Sequence, residues 1–581
     1  MHIAVIPNRN SPPTYLLRET YREDGKVKHH TVGNITSLGV EKISLIEAVL
    51  KNQKLAPIDQ AFHIQKSSPH GHIEAILNAI RFLKLDKIID TKPSPQRSLV
   101  LAMIAQRIIN PLSKLGTTRV WDNTTLAQEL RIPNDTDQDD LYDAMDWLLK
   151  RQSKIEKKLA ARHLEKNSLA LYDISSSYFE GEKCPLAKFG HNRDEKKNKK
   201  IVVYGLLTDA DGRPVHIKAW PGNTNDSTTV PDTVKTIRQE FGLDEIILVG
   251  DRGMLTGVQI EKLKEYPGVK YISALRGSSL RKLVDDACFP RSLLDEKHLA
   301  EFAHEDYPGE RLIACHNPLL ESRRHKVREE LLCATEKKLD SLVKTFSRMA
   351  SNGKPKSDAE IGVKVGQVIN SYNMKKHFTY GIKEGVFTYK RNEESIREES
   401  ELDGMYVIRT SVASGVKSAE NVVRDYKRLG EVEKSFRTMK TTLLETRPIY
   451  HWREERVRSH LLICMLAYYV TWHLRSVWSE FLYSEESMGE QRATRYPVIP
   501  AKARDKAQSK KVSKERFCTE SGVAYRIESF RTLLDRLSSR SRNFCRMDGR
   551  IADTEFEMVT SPDGLQGELL SRVEVLRTRY S

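Results

Sequence analysis

Two apolar stretches, SLALYD (168–173) and EIILVGD (245–251), have the composition of buried strands, and each closes on an aspartate. A carboxylate at the end of such a strand is costly unless something compensates it. Taken singly, either aspartate also suits a helix N-cap or a turn. Taken together, two strands with one context fit neighbours in one sheet, with both carboxylates at one edge. Two like charges within a few ångströms repel unless a cation sits between them. Oxygen-rich sites with few protein ligands suit Mg²⁺, which keeps waters and binds substrate phosphates.

The surrounding periodicity sets the fold class. From 71 to 165 apolar residues recur at three- and four-residue steps, as in RSLVLAMIAQRIINP and DLYDAMDWLLKRQ, which predicts helices. From 168 the period changes. KIVVYGLLTDADGRPVHIKAWPG (200–222) reads as two strands joined around Asp211-Gly212, then a helix at 226–241, the strand ending at Asp251, a helix at 255–265 and the strand VKYISAL (269–275). Three strands followed by strand–helix alternation indicate a mixed α/β sheet. Before all this, residues 14–33 read as a hairpin turning at Asp24-Gly25. Residues 280–400 combine a charged helical stretch with strand-like pieces, HFTYGIK and GVFTYKR, and MYVIRTS (405–411) reads as another strand.

A third acid lies on the helical stretch NVVRDYKRLGEVEKSFRTMKTTLLETRP (421–448), where Glu431 and Glu433 compete. At 100° per residue, Leu429, Val432, Phe436, Met439 and Leu443 form one apolar stripe. Tyr426, Glu433 and Lys440 are spaced by seven and line one flank of it, while Glu431 points away. A tyrosine, a carboxylate and a lysine in one row suit a phosphate-tracking line with a metal ligand in its middle. Ordinary polar flanks of an amphipathic helix are the alternative.

Charge points the same way. Lys and Arg number 95 against 79 Asp and Glu, a net +16. An excess of this size favours a polyanionic partner, nucleic acid above all. The loop KFGHNRDEKKNKK (188–200) carries Lys196, Lys197, Lys199 and Lys200, and the stretch 491–516 holds nine Lys or Arg against two acids. Such runs suit phosphate neutralisation that positions DNA without reading it; a merely solvated face is the alternative for each. Arg252, beside Asp251, is a further candidate for the cut strand. The seven cysteines show no CxxC spacing, which fits a reducing compartment. The N-terminus lacks the plan of a signal peptide. The longest strongly apolar run, LLICMLAYYVTW (461–472), is short of the about 20 residues a membrane span needs, so a buried core helix is expected there.

Asp173, Asp251 and Glu433 in this order, with the third on a helix, resemble the DDE transposases of bacterial insertion sequences. One subgroup of that family carries Tyr-x2-Arg-x3-Glu-x6-Lys around its glutamate; here the positions are Tyr426, Leu429 in place of arginine, Glu433 and Lys440. YKRLGEVEKSFRTMKTTLLETRPIYHW, with its Arg-Pro-x-Tyr-His segment from Arg447 to His451, the helix RVRSHLLICMLAYYV, the stretch FGHNRDEKKNKKIVVYGLL (189–207) and DRG (251–253) are similar to one branch of that subgroup. The resemblance implies an RNase H-like mixed-sheet core interrupted by an insertion domain and preceded by a β-hairpin and a helical domain. The chain then divides into a hairpin region (1–55), a helical domain (56–165) that reads as DNA-binding or as plain helical packing, the core's first part (166–275), an insertion (276–404), the core's second part (405–480) and a basic linker with a C-terminal region (481–581).

The resemblance also implies the chemistry: cleavage at transposon ends and strand transfer into target DNA, by cut and paste, with two Mg²⁺ ions, or Mn²⁺ in their place, held by Asp173, Asp251 and Glu433. Tyr426 and Lys440 are carried over as DNA contacts; no arginine is carried over at 429. Terminal inverted repeats and target DNA are the implied partners, in a homodimer that pairs two ends, with no membrane, in the bacterial cytoplasm on the nucleoid. In cut-and-paste members an aromatic in the insertion wedges against a flipped base. None of the six Trp lies in 276–404, which leaves Tyr372, Phe378, Tyr380, Phe387 or Tyr389 for that part, against a plain core role. An RNase H-like nuclease and an inactive transposase-derived DNA binder are the rival readings.

Overall fold

The computed structural model describes residues 1–53, 62–194, 196, 198–285, 298–441, 443–483, 516–518, 522–547 and 554–580. Lys197 and nearly all of the basic stretch 491–516 fall outside them. The chain forms two bodies.

The first body joins the N-terminus to a late segment, 1–69 with 540–561. Thr14–Glu23 and Lys26–Asn34 pair antiparallel. Asp24 and Gly25 turn between them with φ of 52° and 74°. Two consecutive positive φ values are what a two-residue turn matching the strand twist needs, which Asp-Gly supplies. His2–Ile6 adds a third strand, and the helix Val40–Leu50 follows. A second sheet pairs His63–Pro69 with Ser541–Met547, which in turn pairs Thr554–Val559. The division of the chain drawn from the resemblance puts residues 63–69 in the helical domain, whereas they form a strand; HIQKSSP has no helical period, and its partner strand lies at the far end of the sequence.

The second body contains a helical layer and a large sheet. Gly71–Phe82, Pro95–Ile109, Gln138–Leu149 and Gln152–His163 are the helices predicted by the three-four apolar spacing. Two of them have side-chain caps at their starts: Ser94 accepts from the Arg97 N–H with Pro95 at the first position, and Asp137 with Asp140 forms a reciprocal capping box. They pack around Glu454–Val477, in which every residue from Leu461 to Thr471 is buried. A helix apolar all round belongs in a core, and no described helix is long and apolar enough to cross a membrane. Phe530–Ser538 and Gly564–Arg579 close the same core; the Trp478 indole N–H donates to the Leu569 carbonyl at 2.9 Å.

The sheet has eight strands in the order Leu299–Phe302, Arg311–His316, Met405–Thr410, Val269–Ala274, Ile246–Val249, Leu169–Tyr178, Ile201–Thr208, Pro214–Pro221. From Leu169 onward the first three strands in sequence run antiparallel and the next two parallel to the first. This is the mixed sheet of an RNase H-like fold. Tyr172 lies flat across Gly205, where an added Cβ would stand 2.5 Å from its hydroxyl oxygen.

Two strands of the expected insertion, Leu299–Phe302 and Arg311–His316, extend this sheet through Met405–Thr410. Beyond them the insertion forms its own core. The helix Pro318–Ser351 packs with Asp358–Ser371 and the hairpin Phe378–Lys383/Val386–Arg391 around Leu332, Leu339, Ile361, Val365, Phe378 and Phe387.

Candidate functional site

The parallel ladder places the two aspartates. Leu171 faces Val249 in the last pair between their strands. Asp173 and Asp251 each come two residues later, so the register brings them to the same level of the sheet. The strand of Asp173 does not end there, contrary to expectation: it continues to Tyr178 against Ile201–Thr208, and only its pairing toward Asp251 stops. Between Leu169 and Ser177 every residue but Asp173 is buried. The sheet thus opens at one side chain.

Asp251 leaves its strand through a turn. Its Oδ1 accepts from the N–H groups of Gly253 (3.0 Å) and Met254 (2.8 Å), and its carbonyl accepts from the Ser273 hydroxyl. The turn role is therefore real, and the second carboxylate oxygen makes no bond in that turn.

The helical stretch 421–448 is two helices, Ala419–Lys427 and Leu429–Lys440, joined at Arg428. Leu429, Val432, Phe436 and Met439 are buried as the stripe requires. Glu433 faces Asp173 closely enough for their charges to couple. Glu431 faces the other way: it pairs with Lys434 at 3.2 Å, and its Cβ packs at Gly212 of the neighbouring turn.

Electrostatics report the convergence. Burial pushes the Asp173 carboxyl up to about 7; the Ile174 N–H opposes the shift, the Asp251 charge adds to it, Arg193 opposes it and Glu433 adds again. Tyr426 sits in the same field, pushed up to about 12 by burial and then by Asp251, opposed by Arg252, with Glu433 adding. Among the described residues no three His, Cys, Asp or Glu side chains already converge as metal ligands. What gathers here is one carboxylate, Asp173, in the fields of two others, Asp251 and Glu433, all hard oxygen donors. That uncompensated charge fits a divalent cation, which would draw Asp173 back to its ionised form.

The other expected contacts divide. Arg252 and Lys196 are exposed. Lys199 pairs with Glu180 at 2.8 Å, and Lys200 reaches the Glu182 carbonyl at 3.5 Å. Lys440 has a partner inside the fold instead of an open face: its ammonium lies 2.8 Å from Asp194 and donates to the Ser175 hydroxyl at 2.9 Å. Asp194, whose side chain is fully buried, also binds Arg447 and accepts from the Tyr178 N–H. Burial without full compensation lowers the Lys440 pKa. Leu429 is buried, and Arg428 turns to the Ala210 carbonyl and Asp211, so neither supplies the missing arginine. Arg193 does reach the field of Asp173, and it is held by Asp226. Sequence reasoning misses it; the signal is HNRD (191–194), hidden in a loop that reads mainly as a run of lysines.

In the insertion, Phe378 and Phe387 are core, the Tyr389 hydroxyl donates to Asp340 at 2.5 Å, and Lys338 lies over Tyr372. Tyr380 is exposed. A cleft of about 290 Å³ lies elsewhere, along Gln152, Glu156, His216 and Arg458. Its Glu156–His216 contact of 2.7 Å ties a helix to the sheet edge.

A mixed sheet that brings two acids to one level of adjacent strands, with a third acid on a nearby helix, has the architecture of the RNase H-like class. The transposase DDE domain family matches residues 171–470, more than half of the chain, and the chain belongs to it. The N-terminal domain of the IS1634 transposase family matches residues 3–59. The protein is a DNA transposase of an insertion sequence. No curated protein matches the sequence. Among solved structures, a piggyBac transposase synaptic complex with hairpin DNA aligns at TM-score 0.32 and 10% identity over 78% of this chain and 88% of that one. A Mos1 transposase paired-end complex with left transposon end aligns at TM-score 0.14 and 10% identity over 33% and 62%.

Proposed function

We propose that Asp173, Asp251 and Glu433 are the catalytic carboxylates of a transposase that cleaves transposon ends and joins them to target DNA by cut and paste. The observation that carries this is the register: Asp173 and Asp251 stand level beyond one parallel pair, with Glu433 brought to the same field from a helix. These three residues would hold two Mg²⁺ ions, or Mn²⁺, which when bound activate the attacking hydroxyl and stabilise the leaving oxygen.

The remaining roles belong to the chain. Arg252 and Tyr426 border the carboxylates and contact the scissile strand. Arg193, anchored by Asp226, holds positive charge beside Asp173. Lys440 positions the glutamate helix: through Ser175 it fixes that helix to the strand of Asp173, two residues along. Lys196, Lys197, Lys199 and Lys200 add phosphate contacts from one loop. The region 56–165 binds DNA, 276–404 acts as the insertion, and two ends are paired in a homodimer on the bacterial nucleoid.

The test is Mg²⁺-dependent cleavage and joining of a duplex carrying the element's terminal inverted repeat. Wild type cuts and joins. Asp173→Ala, Asp251→Ala and Glu433→Ala bind the duplex and do neither. Cutting without joining would mark a nuclease, and binding alone by wild type would mark an inactive derivative.

A further inference from the structure

Along the strand of Asp173 one guanidinium is anchored at a single nitrogen. The Arg193 Nη2 donates to Asp226, while its Nε and Nη1 make no hydrogen bond to a described residue. Neither of these two atoms is buried away from solvent, and the side chain keeps 23% of its surface exposed.

We propose that the open N–H groups of Arg193 bind a non-bridging oxygen of the scissile phosphate, with Asp226 as the residue that positions the guanidinium. The inference rests on the transposase reading above and names a group of this chain, besides the three carboxylates, that meets the reacting phosphate.

Hydrogen bonds place both ends of the Arg193 arm. At the backbone end the Arg193 N–H donates to the Ser176 hydroxyl at 3.2 Å, three residues beyond Asp173. The next residue, Asp194, accepts from the Tyr178 N–H at 3.1 Å, so this part of the loop runs along the strand. At the far end Asp226 opens the short helix Asp226–Thr229. The Asp226 carbonyl accepts from the Thr229 hydroxyl at 2.7 Å, and that hydroxyl accepts from the Tyr172 hydroxyl at 3.0 Å. Tyr172 immediately precedes Asp173. The arm is thus tied to the strand at residues on either side of that carboxylate, close enough for its charge to act on both Asp173 and Lys440.

The strand is open at the same place. Pairing with Ile246–Val249 ends at Leu171, and Asp173 alone is not buried between Leu169 and Ser177. A phosphate that reaches Asp173 through this opening enters the field of Arg193.

The chemistry of the group suits that ligand. A guanidinium stays charged at any working pH, and its planar fork matches phosphate oxygens. Displacement at phosphorus spreads charge over the non-bridging oxygens, where a cation already fixed in place acts without reorganisation. On the glutamate helix Leu429 is buried, and Arg428 is taken by the Ala210 carbonyl and Asp211.

The experiment pairs one residue with one phosphate. The full chain binds a terminal-repeat duplex in which the phosphate that wild type cuts is either native or a neutral methylphosphonate, without Mg²⁺ so that nothing is cut. Neutralising that phosphate lowers wild-type affinity by about tenfold, as loss of a charged hydrogen bond does. Arg193→Gln binds the two duplexes equally. With Mg²⁺ and saturating protein, Arg193→Gln cuts the native duplex about 10²–10³-fold more slowly than wild type, the scale of one lost transition-state donor. Arg193→Lys, which keeps the charge and loses the fork, recovers part of the rate and part of the discrimination. Asp226→Asn frees the guanidinium and brings the discrimination below the wild-type value, a readout that a purely structural role leaves alone. Thermal melts show which variants are folded, and Arg193→Lys carries the comparison if Arg193→Gln is not. Wild-type discrimination in a folded Arg193→Gln overturns the proposal; slowed cutting alongside it makes Arg193 a partner of Asp173 alone. Wild type that binds the duplex with Mg²⁺ and cuts nothing is a different result, and it removes the transposase reading itself.

Discussion

Asp173 and Asp251 stand level across adjacent parallel strands, each two residues past the Leu171–Val249 pair. Neither needs a long side chain or a flexible loop to meet the other; the ladder does it. Their proximity has a cost, visible in the Asp173 carboxyl held up to about 7 by burial, with Asp251 and Glu433 adding.

That cost predicts a pH dependence of stability. Asp173 titrates near 3.8 unfolded and near 7 folded. A raised carboxylate pKa means the folded state keeps a proton that the unfolded state releases. Stability from this group is therefore lost as pH rises from about 4, and the loss is complete above about 7. Metal-free wild type is expected to lose on the order of 2–4 kcal/mol relative to Asp173→Asn between pH 4 and 8, measured by urea unfolding. Mg²⁺ at pH 8 should raise the Tm of wild type and leave that of Asp173→Asn unchanged.

The two glutamates of the helix are expected to separate cleanly. Glu433→Gln removes a carboxylate from the site and should lower cleavage by about three orders of magnitude, the scale of several kcal/mol of transition-state stabilisation. Glu431→Gln breaks a partly buried pair with Lys434 and should cost at most about 1 kcal/mol of stability while cleavage persists. Equal cleavage by the two variants would show that the helix does not present Glu433 to the reaction.

Asp194 is the buried anion that joins Lys440, Arg447 and the end of the Asp173 strand. Asp194→Asn leaves two cations facing a neutral amide. Removing one partner of a buried ion pair costs about 3–5 kcal/mol, so chemical denaturation should show a loss of that size. Lys440→Met should cost less, because Arg447 still balances Asp194, and should lower cleavage through displacement of the glutamate helix. A variant that binds DNA more weakly but cuts at full rate when saturated would instead put Lys440 on the DNA.

Much of this architecture is legible in the sequence itself. Local signals suffice for the Asp24-Gly25 turn, the core helix over 461–472 and the strand that leads to Asp251. Helical phase separates Glu433 from Glu431, because seven residues return a side chain to nearly the same face. What the residues do not show is non-local. The pairing of 63–69 with 541–547 has no mark in either stretch. That Lys440 pairs with Asp194 cannot be read from its row, because the partner is far away in sequence. Arg193 and Asp194 are masked by the lysines beside them: net charge locates a basic loop but not which of its members turns inward.

Gly205 is expected to matter to catalysis without touching DNA. It lies opposite Ile174 in the antiparallel pair, and the Tyr172 ring crosses it. The Tyr172 hydroxyl is in turn fixed by Thr229 at 3.0 Å. An alanine at 205 would put its Cβ 2.5 Å from that oxygen and 2.8 Å from the ring, so the tyrosine must move. Overpacking of this kind costs about 1–3 kcal/mol. The backbone between Tyr172 and Ile174 is the one that aims Asp173, and a shift there misplaces a carboxylate that must meet two others. Gly205→Ala should therefore lower cleavage by about a hundredfold, the scale of a 1 Å misplacement, while DNA affinity stays at the wild-type value. The paired change Gly205→Ala with Tyr172→Phe removes the nearest atom of the clash and should recover part of the rate, measured as cleavage of the same duplex under saturating protein.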